Sequence, residues 1–137
     1  MNYVQVSGKI TKPQLLLLEK LYKKTCKILN RPIEILSLSI IDEKEMAKLN
    51  YRFFGIKKPT DVLSFEASDE IVICYELAKK QALEERKKII DEIALLFVHG
   101  CLHIAGFDHN NKARAEEMSL LQKKILGQIK NRNLEYR

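Results

Sequence analysis

All three histidines of the chain, His99, His103 and His109, lie in the stretch Phe97-Val98-His99-Gly100-Cys101-Leu102-His103-Ile104-Ala105-Gly106-Phe107-Asp108-His109. His99 and His103 are four residues apart, one helical turn, so both imidazoles leave the same helix face. Two ligands of a tetrahedral metal require that geometry. Gly106 can take a left-handed conformation and end the helix. The chain can then bring His109 to the same ion. Three neutral imidazoles leave a fourth position for water, as in catalytic zinc sites, whereas structural sites usually close with four protein ligands. A metal so held lowers the pKa of its water toward 7 and makes hydroxide available at neutral pH. The predicted cofactor is one Zn2+ per chain, or another divalent metal in the same ligands.

The spacing equals that of the metzincin peptidases, H-E-x-x-H-x-x-G-x-x-H, whose Glu after the first histidine is the general base. Here that position is Gly100, which has no carboxylate, so peptide hydrolysis is not expected. Asp108 supplies a carboxylate elsewhere in the motif and can equally orient a histidine. Cys101 lies off the ligand face and is expected to be buried.

The elements that must position these residues follow from periodicity. Val4-Gln5-Val6 is a strand. Thr11-Lys12-Pro13 caps a helix over about 13–29, with Leu15, Leu18, Leu21, Tyr22, Cys26 and Leu29 on its apolar stripe. Asn30-Arg31-Pro32 stops it. Ile33, Ile35, Leu36, Leu38 and Ile40 make a strand. Asp42 and Glu45 form a capping box for a helix over about 43–54. Gly55 to Pro59 is a basic loop. Thr60–Phe65 and Glu70–Tyr75 are strands joined by a short polar turn. Helix follows from about 76 to Gly106, broken at Arg86-Lys87-Lys88. Ile89 to Leu102 is apolar nearly all round, so its helix is expected at the centre of the core. Asn110-Asn111 is a turn before a last helix over about 112–130. The order β-α-β-α-β-β-α-α-α predicts one α+β domain over residues 1–137. Its mixed sheet has about four strands, one face covered by helices, and its central buried helix carries two of the metal-ligand histidines.

The chain has 137 residues, 46% of them hydrophobic and 31% charged, which fits a single globular domain rather than a disordered chain. The longest unbroken apolar run, Ile93–Val98, falls far short of the roughly 20 residues that span a bilayer. The first residues lack the pattern of a signal peptide. Cys26, Cys74 and Cys101 are odd in number and widely spaced, which suits a reduced, cytoplasmic setting. The net charge of +6 is distributed as +7 over residues 1–60, −5 over 61–111 and +4 over 112–137. Two basic ends thus flank the acidic middle that holds the histidines. Lys20, Lys23, Lys24 and Lys27, at helical spacing, read either as a solvated helix face or as a phosphate-binding surface.

The histidine stretch resembles the H-G-x-L-H-L-x-G-y-D-H signature of the YbeY family, bacterial metal-dependent endoribonucleases also described as ribosomal RNA maturation factors. Lys58-Pro59-Thr60-Asp61-Val62-Leu63-Ser64-Phe65 is similar to its K-P-T-D-V-L-S-F. Glu70-Ile71-Val72-Ile73-Cys74 is similar to its G-D-I-V-I-S, Leu49-Asn50 to its L-N, and Met118 to the methionine of its last helix. The resemblance extends from about 34 to 126. Three positions depart from it. The arginine that the family places in its catalytic cleft, five residues before the Pro, is here Phe54, and Arg52 is the candidate to stand in. The Pro after L-S-F is Glu66, and the G-D before I-V-I is Asp69-Glu70.

The resemblance implies a zinc-dependent, single-strand-specific endoribonuclease acting in maturation of the 3′ end of small-subunit (16S) ribosomal RNA and in ribosome quality control. Its partners would be single-stranded ribosomal RNA and the small subunit or its proteins. The implied catalytic residues are His99, His103, His109 and Arg52. Arg52, Lys57 and Lys58, on the approach to the cleft strand, read as phosphate contacts or as a solvated loop. Lys123, Lys124 and Lys130 are the alternative phosphate-binding residues. The rival readings are a ribosome-assembly factor that binds ribosomal RNA or protein with little intrinsic cleavage, and a metal-dependent hydrolase of another substrate.

Overall fold

Capping chemistry sets the helix ends. Thr11 accepts from the Gln14 N–H at 3.3 Å while the Gln14 side chain accepts from the Thr11 N–H at 3.0 Å, a reciprocal box. It starts α1 (Lys12–Leu29), which Asn30 closes in a left-handed conformation at φ 51°. Asp42 accepts from Glu45 N–H at 2.8 Å and starts α2 (Glu43–Phe54). Asn111 accepts from Arg114 N–H at 2.9 Å and starts α5 (Lys112–Leu126). The remaining elements are β1 (Tyr3–Ser7), β2 (Ile35–Ile41), β3 (Val62–Phe65), β4 (Glu70–Cys74), α3 (Tyr75–Glu84) and α4 (Ile89–Ile104), with one turn of 3-10 helix over Glu66–Ser68. The computed structural model describes residues 3–30 and 35–127. The helix stop at Arg31-Pro32, the strand start at Ile33 and the helix end at about 130 lie outside them.

The four-stranded sheet has the order β1-β2-β4-β3. β1 runs parallel to β2 and β2 to β4, while β3 pairs antiparallel with β4 at the edge. The protein is thus an α+β domain with a mixed sheet, as its element order predicts. α1, α4 and α5 pack on one face, burying Leu36, Leu38, Ile71 and Ile73 against Leu18, Tyr22, Phe97 and Leu102. The second face differs from the sequence expectation of one covered face. There α2 sets Met46 against Val72 and Cys74, with Leu49 and Leu63 beside them. The cause is β4, whose Ile-Val-Ile-Cys run is apolar on both faces, so each face needs a cover.

α4 is central, as its apolar sequence requires: Ile93 to Val98 are all at most 2% exposed. It approaches the sheet closely at Gly100, where an added Cβ would lie 3.0–3.1 Å from three carbons of Ile71. Gly100→Ala is therefore expected to lower stability by about 1–3 kcal/mol through overpacking. An unchanged denaturant midpoint would show that Ile71 yields freely. Cys26, Cys74 and Cys101 are buried free thiols. On α1, Lys20, Lys23 and Lys27 are exposed, as on a solvated face.

Candidate metal centre

The histidine-bearing end of α4 is fixed by two backbone hydrogen bonds. Gly106 N–H donates to His103 C=O at 3.0 Å and Phe107 N–H to Leu102 C=O at 2.9 Å. This is a Schellman motif, and it needs the left-handed residue that Gly106 supplies at φ 100°. Phe107 packs back on the core and turns the chain toward the helix it has just left. Asp108 then accepts from Asn110 N–H at 3.1 Å and from the Arg114 guanidinium at 3.2 Å. Its oxygens tie the loop carrying His109 to the first turn of α5.

The result is a cluster. The Nε2 atoms of His99 and His103 are 3.1 Å apart. The His109 ring centroid lies 5.7 Å from that of His99 and 5.4 Å from that of His103. One nitrogen from each ring can be chosen so that all lie within 4.8 Å of one another. Two imidazole nitrogens on one tetrahedral zinc are separated by roughly 3.3 Å, given Zn–N bonds of about 2.0–2.1 Å. The donor set fits a single ion. His99 and His103 are half-buried and His109 is exposed, so the cluster opens to one side.

Gln122 of α5, 2% exposed, places Oε1 2.6 Å from His99 Nδ1. An amide oxygen there requires the proton on Nδ1 and leaves the Nε2 lone pair facing the cluster, the arrangement that orients metal-binding histidines. Gln122, not Asp108, is the partner of that nitrogen. Burial pushes the His99 pKa down, against the pull of Gln122. His103 is lowered to about 4, by burial first and then by the neighbouring His99 and His109. Both rings are thus neutral at pH 7, as metal ligands must be.

The cluster lies in a cleft of about 540 Å³ whose wall includes Phe54, Asp61, Leu63, Ser64 and Gly100. Asp61 accepts from Val62 N–H at 2.8 Å and from Gln81 Nε2 at 3.1 Å, which fixes the start of β3 at the cleft wall. Arg52 is on the last turn of α2, its guanidinium 5.6 Å from the Phe53 ring centre. Phe54 occupies the cleft wall. Lys57 sits 5.3 Å over Tyr51, and the Lys58 carbonyl accepts from buried Asn50 Nδ2 at 2.8 Å, which anchors the loop. Lys123 and Lys124 are exposed on α5, and Lys130 lies outside the described residues. The structure therefore brings His99, His103 and His109 together and sets Arg52 on the helix that ends at the cleft. Gln122 was missed. Its signal is a polar residue on the apolar stripe that Met118 and Ile125 define on α5.

Residues 5–130 match the family described as Endoribonuclease YbeY. The chain is 42% identical over 103 residues to the Endoribonuclease YbeY of Chelativorans sp. (strain BNC1), a match covering 66% of this chain and 63% of that protein. It thus spans less than two thirds of that relative's length. The fold is similar to the solution structure of TM1509 from Thermotoga maritima, with a TM-score of 0.66 and 26% identity over 93% of this chain and 90% of that one.

Proposed function

Because the chain belongs to the YbeY endoribonuclease family, we propose that residues 1–137 form one metal-dependent endoribonuclease domain that cuts single-stranded RNA. The observation that carries this reading is the convergence of three imidazoles within 4.8 Å at an open cleft. An ion held by His99, His103 and His109, zinc by the character of the donors, supplies a Lewis acid for a phosphodiester oxygen and lowers the pKa of water. Gln122 holds His99 in the ligating tautomer. The buried ligand helix keeps the rings in place. Arg52, at the cleft end of α2, is the cation we assign to the scissile phosphate.

The substrate on this reading is ribosomal RNA, cut in maturation of the 16S 3′ end and in ribosome quality control. The setting is the cytoplasm, with the small subunit or its proteins as partners. Among the described residues no helix is long and apolar enough to cross a membrane. The test is cleavage of an unstructured RNA by pure protein. Chelator should abolish cutting and zinc should restore it, while casein stays intact. RNA binding with no cutting under any metal would favour the ribosome-assembly reading instead.

The acidic middle of the chain would repel a phosphodiester unless cations framed the cleft. Replacing Arg52, Lys57 and Lys58 together by Ala is expected to weaken binding alike across RNA sequences, because phosphate contacts carry little sequence information. The slope of log affinity against log salt should flatten by up to about two units, at roughly 0.7 per single-strand contact. Metal content should not change. An unaltered affinity and slope would move phosphate binding to Lys123, Lys124 and Lys130.

A further inference from the structure

One aromatic ring, Phe54, lines the cleft beside the histidines, and further exposed aromatics flank it on the same helix end. Tyr51, Phe53 and Phe54 are each 54% exposed, an unusual density of wet rings on one helix end. Phe65 of β3 backs them, with ring centres 5.0 Å from Phe53, edge-on, and 6.4 Å from Phe54, stacked at 26°. Arg52 and Lys57 lie over the Phe53 and Tyr51 rings. Phe54 both stacks on Phe65 and lines the histidine cleft. Arg52 stands between Tyr51 and Phe53 in the chain, and Lys57 and Lys58 follow the rings. Rings for bases and cations for phosphates are what a single nucleic-acid strand requires. Paired bases offer no free face, so the strand must be unpaired there.

We propose that Phe54 is a base-stacking platform: an unpaired nucleobase of the RNA lies on its ring beside the histidine cluster and sets which phosphodiester reaches the cleft. Phe54 is then a positioning residue. This rests on the ribonuclease reading and adds to it a recognition of the base rather than of the backbone.

The chain contains no tryptophan, so Phe54→Trp places a single reporter at the platform. The probes are a nuclease-resistant phosphorothioate oligoadenylate and its abasic counterpart, titrated into zinc-loaded protein. Phe54→Leu should bind the oligoadenylate about 5- to 100-fold more weakly than wild type, with the same salt slope and the same affinity for the abasic strand. Phe54→Trp should bind like wild type, and its emission should be quenched by the oligoadenylate and not by the abasic strand. The ring is half-exposed, so all variants should unfold at the wild-type midpoint. Wild-type affinity in Phe54→Leu, or emission indifferent to the bases, overturns the platform; the patch then serves another partner. A wild-type protein that binds both strands equally keeps the ribonuclease reading and loses the platform. One that binds neither strand removes both.

Discussion

Protein loaded with zinc is expected to retain about one ion per chain after dialysis, and His99→Ala/His103→Ala to retain none. The double variant leaves only exposed His109, and a single imidazole does not hold zinc against water. Zinc bound to the folded state alone should also raise thermal stability, by about 4 kcal/mol when free metal exceeds the dissociation constant a thousandfold. The double variant should show no such rise, and its RNA cleavage should fall to background. Gln122→Leu is the finer test. It keeps every donor and removes only the acceptor 2.6 Å from His99 Nδ1, so affinity should drop about 10- to 100-fold. Elemental analysis and melting with and without zinc read all of this. Full occupancy in the double variant would place the metal elsewhere.

His99, His103 and Gly106 were legible because their relation is local. Four residues of helix and one left-handed turn determine it, whatever else the chain does. The same holds for the caps at Thr11 and Asp42, whereas Asn111, read in the sequence as part of a turn, caps α5 in the fold. Gln122 contacts His99 across 23 residues, and that contact exists only once α5 has docked on α4. Gly100 reads in the sequence as a missing catalytic Glu. In the fold it is also where α4 comes within van der Waals reach of Ile71, a distance no periodicity encodes. The second helix layer was foreshadowed by the two-sided apolarity of β4, which a short run leaves ambiguous between a buried strand and a buried helix. Asp108 shows the converse. Its place inside the histidine motif reads as work on a histidine; in the fold its oxygens accept from Arg114 and the Asn110 N–H, while its charge still pulls the His103 pKa upward against burial.

Lys87 gives the largest stability effect. It lies in a basic run that breaks the helical pattern of the sequence, and the chain does break there, with Arg86 left-handed at φ 55°. Yet the Lys87 side chain is only 4% exposed, and its Nζ lies 2.6 Å from Oε1 of Glu92, which is fully buried on α4. Glu85 reaches the same ammonium at 3.5 Å. Burial pushes the Glu92 carboxyl up and Lys87 draws it back down. Lys87→Met removes that cation and is expected to cost about 3–5 kcal/mol, because the buried carboxylate loses the ammonium 2.6 Å from it. Out of a total of about 5–15 kcal/mol, that is a large share. The cost should depend on pH with a definite sign. The unfolded chain ionises Glu92 in the ordinary carboxylate range, whereas the folded variant holds the proton to higher pH. Between the two the native state binds more protons, so the variant's stability falls as pH rises. The deficit should be largest at neutral pH and shrink in mild acid. Lys87→Met/Glu92→Leu removes both charges and should recover to within about 1 kcal/mol of wild type, since an apolar pair can replace a buried ion pair at little cost. Glu92 precedes His99 by seven residues on α4, two turns along the same helix face. If the pair serves only to seat that helix, the double variant will keep its zinc and its RNA cleavage. Denaturant melts at pH 5 and pH 7.5 decide the matter: Lys87→Met within about 0.5 kcal/mol of wild type at both values, the range of an ordinary surface change, would show that the carboxylate finds its compensation elsewhere.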